Sequence, residues 1–113
     1  MNASTHEVRA SQTATPVLVQ AIEPVPGLFV YEQPEELRGH PESPYLWRLG
    51  HHSGLVVAVA MYEDDAIRGA QKIANRADWT QDVEELRTEI DADGLYEDLS
   101  WTSCEHPTFA RLI

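Results

Sequence analysis

The stretch from Tyr45 to Met61, YLWRLGHHSGLVVAVAM, constrains the fold more than any other part of the chain. Two apolar runs flank a short polar turn. In the first run, Tyr45, Trp47 and Leu49 alternate with Leu46, Arg48 and Gly50, the period of two that places successive side chains on opposite faces of a sheet. The second sets Leu55, Val57, Val59 and Met61 against Val56, Ala58 and Ala60. It is apolar on both faces, which is the pattern of a central strand. Between them, HHSG supplies turn chemistry, because Gly54 can take a positive φ and Ser53 can bond the local backbone. The predicted unit is an antiparallel hairpin whose alanines let a helix pack closely.

The flanking segments extend this unit. Pro16 opens VLVQAIE, a β-branched run that predicts a strand; EPVPG predicts a turn, and GLFVYEQ an antiparallel second strand. The segment from Pro34 to Pro44 carries three prolines and a glycine and reads as a surface loop, with one helical turn at PEEL. Glu63, Asp64 and Asp65 suit a helix N-terminus. Behind them, Ala66, Ala70, Ile73 and Ala77 recur at helical spacing. A second helix is expected from Trp79, with Asp78 and Gln81 as a capping box, a stripe of Trp79, Val83, Leu86 and Ile90, and Gly94 as its left-handed stop. LYEDL suggests a further short helix, and Trp101, Phe109 and Leu112 are expected to cover the core. Residues 1–15 have hardly any large apolar side chain and read as a disordered or extended arm, leaving 16–113 as one domain.

The expected fold is therefore α+β: an antiparallel sheet of about four strands with two helices packed on one face, in the order β-β-β-β-α-α. One sheet face and the sheet edges would then lack cover, which leaves a symmetric homodimer open.

Composition narrows the function. A chain of 113 residues supports one core. Nineteen acids against eight bases give a formal charge of −11, Lys72 is the only lysine, and the arginines are scattered. Phosphate backbones are held by clustered lysine and arginine, so direct binding of nucleic acid or an anionic membrane is not expected. A basic protein partner fits the charge better. No apolar run approaches the roughly 20 residues of a membrane span, and the N-terminus lacks the apolar stretch of a secretory signal, so a cytoplasmic location is expected. Cys104 is the only cysteine, which excludes an internal disulfide.

Three features invite a chemical reading. His51 and His52 are adjacent, so on a strand they would point to opposite faces and could not share one ion. His40 and His106 stand at arbitrary distances from them, without the local spacing of a zinc site, and no cofactor is expected. Glu89 to Ser100, EIDADGLYEDLS, aligns with a calcium loop through Glu89, Asp91, Asp93 and Gly94, but Ser100 stands where the closing glutamate belongs. Finally, residues 63–98 hold twelve acids against four bases. A solvated helix face is the plain explanation. The sharper one is an interaction surface formed by Asp82, Glu85, Glu89, Asp91 and Asp93.

The order W-x-L-x-H, Ser-Gly turn, apolar strand, alanine-rich helix and Asp-Trp-Thr is carried by Trp47, Leu49, His51, Ser53, Gly54, Ala66, Ala70, Asp78, Trp79 and Thr80. It resembles small uncharacterised actinobacterial proteins associated with plasmids, integrative elements or phages. The resemblance implies a source and a fold unit and carries over no catalytic residue. The expected function is a non-catalytic protein-interaction module serving a mobile element. Two alternatives stand beside it: an acidic DNA mimic that inhibits a DNA-binding protein, and a small enzyme or metal-binding protein using His40, His51 and His52.

Overall fold

A computed structural model describes residues 3–8, 15–35 and 44–105. Five antiparallel strands form one sheet in sequence order: β1 (Ala3–Val8), β2 (Val17–Val25), β3 (Leu28–Glu32), β4 (Trp47–His51) and β5 (Val56–Ala60). Three helices follow: α1 (Glu63–Ile73), α2 (Val83–Glu89) and α3 (Ala92–Trp101). The α+β class and the antiparallel sheet agree with the sequence reading; there is one strand more than expected, and the short helix suggested at LYEDL is part of α3, a full third helix beside the two expected on the sheet.

The additional strand comes from the N-terminal arm. Within β1, Thr5 and Glu7 are exposed while His6 and Val8 are buried. His6 pairs with Val19 and Val8 with Val17, so the alternation is that of a half-buried strand, written with too few apolar residues to be conspicuous.

β5 is not the central strand expected from its apolar faces; it closes the sheet order. Its outer edge is met by Glu105, whose N–H and C=O both bond Val59, at 2.8 and 2.7 Å. Opposite β4 the register shifts, since Leu49 pairs with Ala58 but Gly50 with Val56. The bulge brings Val57 into the main core with Ala58 and Ala60.

The helical half also departs from the expected pattern. Asp78 does not start a helix. Its Oδ1 accepts from the Thr80 N–H (3.0 Å) and hydroxyl (2.5 Å), a local turn that delays the helix to Val83. Ile90 is extended (φ −79°, ψ 132°), so α2 stops there and α3 begins after Asp91. Gly94 lies inside α3 rather than ending a helix; a Cβ there would sit 2.7 Å from Asp91 Oδ2 and 2.9 Å from Arg76 Cζ.

One sheet face carries the helices. Leu28, Val30, Leu49, Ala58 and Ala60 pack against Ala66, Ala70, Ile73, Leu86, Leu95 and Leu99. Trp79 is also buried there, with its indole N–H donating to Ile73 O at 2.9 Å. The other face closes partly on itself. Val8, Val19, Ala21 and Tyr31 form a second cluster, and the His6 ring stacks on Phe29 with centroids 4.6 Å apart. His6 Nε2 also comes within 3.6 Å of where a Cβ on Gly50 would stand. Three strand spacings of about 4.8 Å separate β1 from β4 in a flat sheet, so this approach reflects strong coiling.

Candidate functional site

The two histidines converge instead of parting. His51 ends β4 on the helix-bearing face and is fully enclosed, whereas His52 already lies in the turn and is exposed. His51 Nε2 is 2.9 Å from the Gln81 carbonyl oxygen, and His52 Nε2 is 2.9 Å from the same oxygen and 3.1 Å from that of Thr80. The ring centroids are 4.0 Å apart. The expectation that adjacent histidines face opposite ways fails because the strand geometry ends between them.

The hydrogen bonds assign the tautomer of His51. The Ser53 N–H donates to Nδ1 (3.2 Å), and the Ser53 hydroxyl lies 2.8 Å from the same atom. Nδ1 therefore accepts, and Nε2–H donates to Gln81. Burial pushes the His51 imidazole below the ordinary histidine range, and the neighbouring His52 adds to that effect. The ring is neutral with both nitrogens engaged.

Ser53 and His51 resemble a nucleophile and its base in distance, but the surroundings do not suit acyl transfer. An oxyanion needs preorganised N–H donors directed at it. Here the Ser53 N–H goes to His51 Nδ1, the Gly54 N–H to His51 O (2.9 Å), and the Leu55 N–H to Ser53 Oγ (3.4 Å). The turn uses its own donors.

The same place gathers a second hairpin. Pro26 and Gly27 turn β2 into β3, with Gly27 at φ +89° and its N–H donating to Glu23 Oε2 (3.0 Å). The His52 N–H donates to Gly27 O at 3.0 Å. A Cβ on Gly27 would press on the Trp79 carbonyl, 2.5 Å from its carbon and 2.9 Å from Thr80 N. Two hairpin turns and the 79–81 segment thus meet backbone to backbone, and the histidines clasp them. Gly54 has the positive φ expected of it, +94°, in open space.

His40 and His106 lie outside the described residues. Among the described residues, no group of three or more His, Cys, Asp or Glu side chains could hold a metal ion. The calcium-like segment Glu89–Ser100 is mostly helix α3 and does not form a ligand loop.

Asp82, Glu85, Glu89, Asp91 and Asp93 are all exposed. Asp82, Glu85 and Glu89 recur three and four residues apart, so they share one flank of α2; Asp91 and Asp93 open α3. Three other acids of the helical half are paired: Asp65 with Arg68, Glu84 with Arg87 (3.1 Å) and Asp98 with Arg76 (2.7 Å). Asp91 stands 3.9 Å from Arg76. No base among the described residues pairs with Asp82, Glu85, Glu89 or Asp93. At the end of α3, Trp101 is 77% exposed.

Cys104 is buried and its thiol is 3.3 Å from Asp65 O; burial raises its pKa, the reverse of what a reactive thiol requires. Sequence reasoning missed His6. Its Nε2 is buried without a partner, and burial lowers its pKa. It also missed Gln81 as the acceptor for both histidines. The period-two run Ser4, His6, Val8 was the only signal for the former.

Compared with known proteins, the chain matches no family model, no curated protein and no solved structure. Among the described residues, no helix is long and apolar enough to cross a membrane.

Proposed function

We propose that this protein is a non-catalytic interaction module that docks a basic protein through the flank of α2 and the start of α3. The observation that carries this reading is a contrast among the acids: Asp82, Glu85, Glu89 and Asp93 are exposed with no base paired to them among the described residues, while Asp65, Glu84 and Asp98 are paired. Like charges three and four residues apart destabilise a helix by a few tenths of a kcal/mol per pair. Such repulsion costs stability and steers a positively charged partner. Trp101 adds a large exposed aromatic on the following helix, the residue type that most often anchors an interface. In the setting implied by the resemblance to mobile-element proteins, the partner is a basic protein of the element or its host.

The test is capture from the native host on the wild-type protein and on a variant with Asp82→Asn, Glu85→Gln, Glu89→Gln, Asp91→Asn and Asp93→Asn. The reading expects a basic protein retained by the wild type, released by salt and lost from the variant. Because Asp82, Glu85, Asp91 and Asp93 stand at helix starts, where negative charge is favourable, the variant should be somewhat less stable than the wild type but still folded, which its circular dichroism and urea midpoint check. A partner held equally by both proteins would refute the reading. A partner displaced by duplex DNA would identify the acidic flank as an imitation of a DNA backbone.

A further inference from the structure

Strand β1 carries two buried polar atoms without a hydrogen-bond partner among the described residues, Ser4 Oγ and His6 Nε2. They stand two residues apart, on the side of the sheet that holds Val19, Ala21 and Tyr31. Each has lost water without gaining a protein bond, so β1 is held less firmly than its burial suggests. β1 also ends the sheet order, and its Val8 belongs to the smaller cluster rather than to the helix-side core. It can part from β2 while that core stays intact.

His6 couples this parting to pH. The residue is 6% exposed, its ring stacked on Phe29 and tilted against Tyr31 with centroids 5.3 Å apart. Whichever tautomer the neutral ring adopts, the imidazolium carries an N–H on Nε2, which has no acceptor. The strands around it offer the charge little. From β3 comes Tyr31, a phenol whose pKa burial pushes up to about 12. From β4 and its turn come two bases, Arg48 opposite Tyr31 and His52, while β2 presents Val17, Val19 and Ala21. The Phe29 face attracts a cation but accepts neither N–H. Glu7 attracts the charge from the exposed side of β1, and burial outweighs it.

We propose that β1 is a strap that acid releases from the edge of β2, ahead of the unfolding of the rest of the protein. In the released strand His6 regains water and protonates at the ordinary histidine pKa, about 6.5. The released fraction rises as pH falls below that value, by up to about tenfold per pH unit, until the docked ring itself titrates. Release bares the backbone edge of β2.

The test is amide hydrogen exchange by NMR on the full-length protein between about pH 7.5 and 5, corrected for intrinsic rates. Protection of the β1 amides should lie below that of β3 and β4 at every pH, and should fall by up to about tenfold per pH unit below about 6.5. In His6→Phe, and in His6→Gln should the larger ring crowd the site, β1 protection should no longer depend on pH. The β3 and β4 amides should keep the dependence that His51 gives to global unfolding. Exchange of β1 in step with β3 and β4 at every pH would overturn the proposal, since the strand would then leave only with the whole fold. Level β1 protection in the wild type, or an undiminished pH dependence in the His6 variants, would overturn it equally.

Discussion

Replacing Gly27 and Gly54 by alanine in turn isolates the contact that joins the two hairpin turns to the 79–81 segment. Both glycines have nearly the same φ, +89° and +94°. Alanine in such a conformation costs roughly 1 kcal/mol at either site, offset equally by the lower entropy of the unfolded chain. At Gly54 nothing lies within 4 Å of the new methyl group, so that is the whole effect. At Gly27 the methyl group meets the Trp79 carbonyl and Thr80 N, both backbone, and they can move only by withdrawing the segment that accepts from His51 and His52. Losing those hydrogen bonds costs about 1 kcal/mol each, which brings Gly27→Ala to roughly 3–4 kcal/mol. With a urea slope of about 1.5 kcal/mol/M, the midpoint should fall by more than 2 M for Gly27→Ala and by less than 1 M for Gly54→Ala. Equal destabilisation of the two variants, within about 0.5 kcal/mol, would refute the close approach.

His6 and His51 are both held below the ordinary histidine range by burial, so the unfolded chain takes up protons that the folded one resists. Stability should therefore be fully present above about pH 6.5 and decline below it, by up to about 1.4 kcal/mol per pH unit for each histidine, until the folded-state pKa is reached. Urea midpoints between pH 7.5 and 5.5 measure this decline; His6→Phe, which keeps a ring against Phe29, should flatten it, and a level wild-type profile would contradict it. Cys104 should react with a thiol reagent far more slowly in the native protein than in urea, since its thiol is buried with its pKa raised; equal rates would show that it is accessible. His52→Asn should cost about 1 kcal/mol or less in thermal or urea unfolding, because the exposed ring loses only its bond to the 80–81 carbonyls.

The parts of the fold visible in the sequence were those where local chemistry and tertiary packing agree. Trp47–His51 and Val56–Ala60 declared themselves by alternation, and Gly54 by its place in a turn. Helix α1 was legible because Ala66, Ala70 and Ile73 recur at helical spacing and are the residues that the sheet buries. β1 was not, since His6 and Val8 are buried by β2 and by the coiling of the sheet rather than by any apolar run of their own. The edge position of β5 was hidden because Glu105 and a bulge cover a strand whose composition suits the middle of a sheet. In the helical half, the stripe Trp79, Leu86 and Ile90 was rightly placed toward the core, but Asp78 spent its carboxylate on Thr80 and postponed the helix. For the candidate site, the acids were nameable in advance, whereas which of them are paired among the described residues depends on where Arg76 and Arg87 point. The meeting of His51 and His52 on one carbonyl 29 and 30 residues away is a tertiary fact.

The most direct test of the acidic flank against the histidine pair is the affinity of the captured partner for three proteins: the wild type, the variant neutralised at Asp82, Glu85, Glu89, Asp91 and Asp93, and His52→Asn. Titrated at two salt concentrations, the wild type and His52→Asn should bind alike and weaken together as salt rises, while the neutralised variant should bind at least tenfold more weakly, about 1.4 kcal/mol, with little dependence on salt. Undiminished binding by the neutralised variant together with loss in His52→Asn would contradict the assignment and return the function to the GHHSG turn.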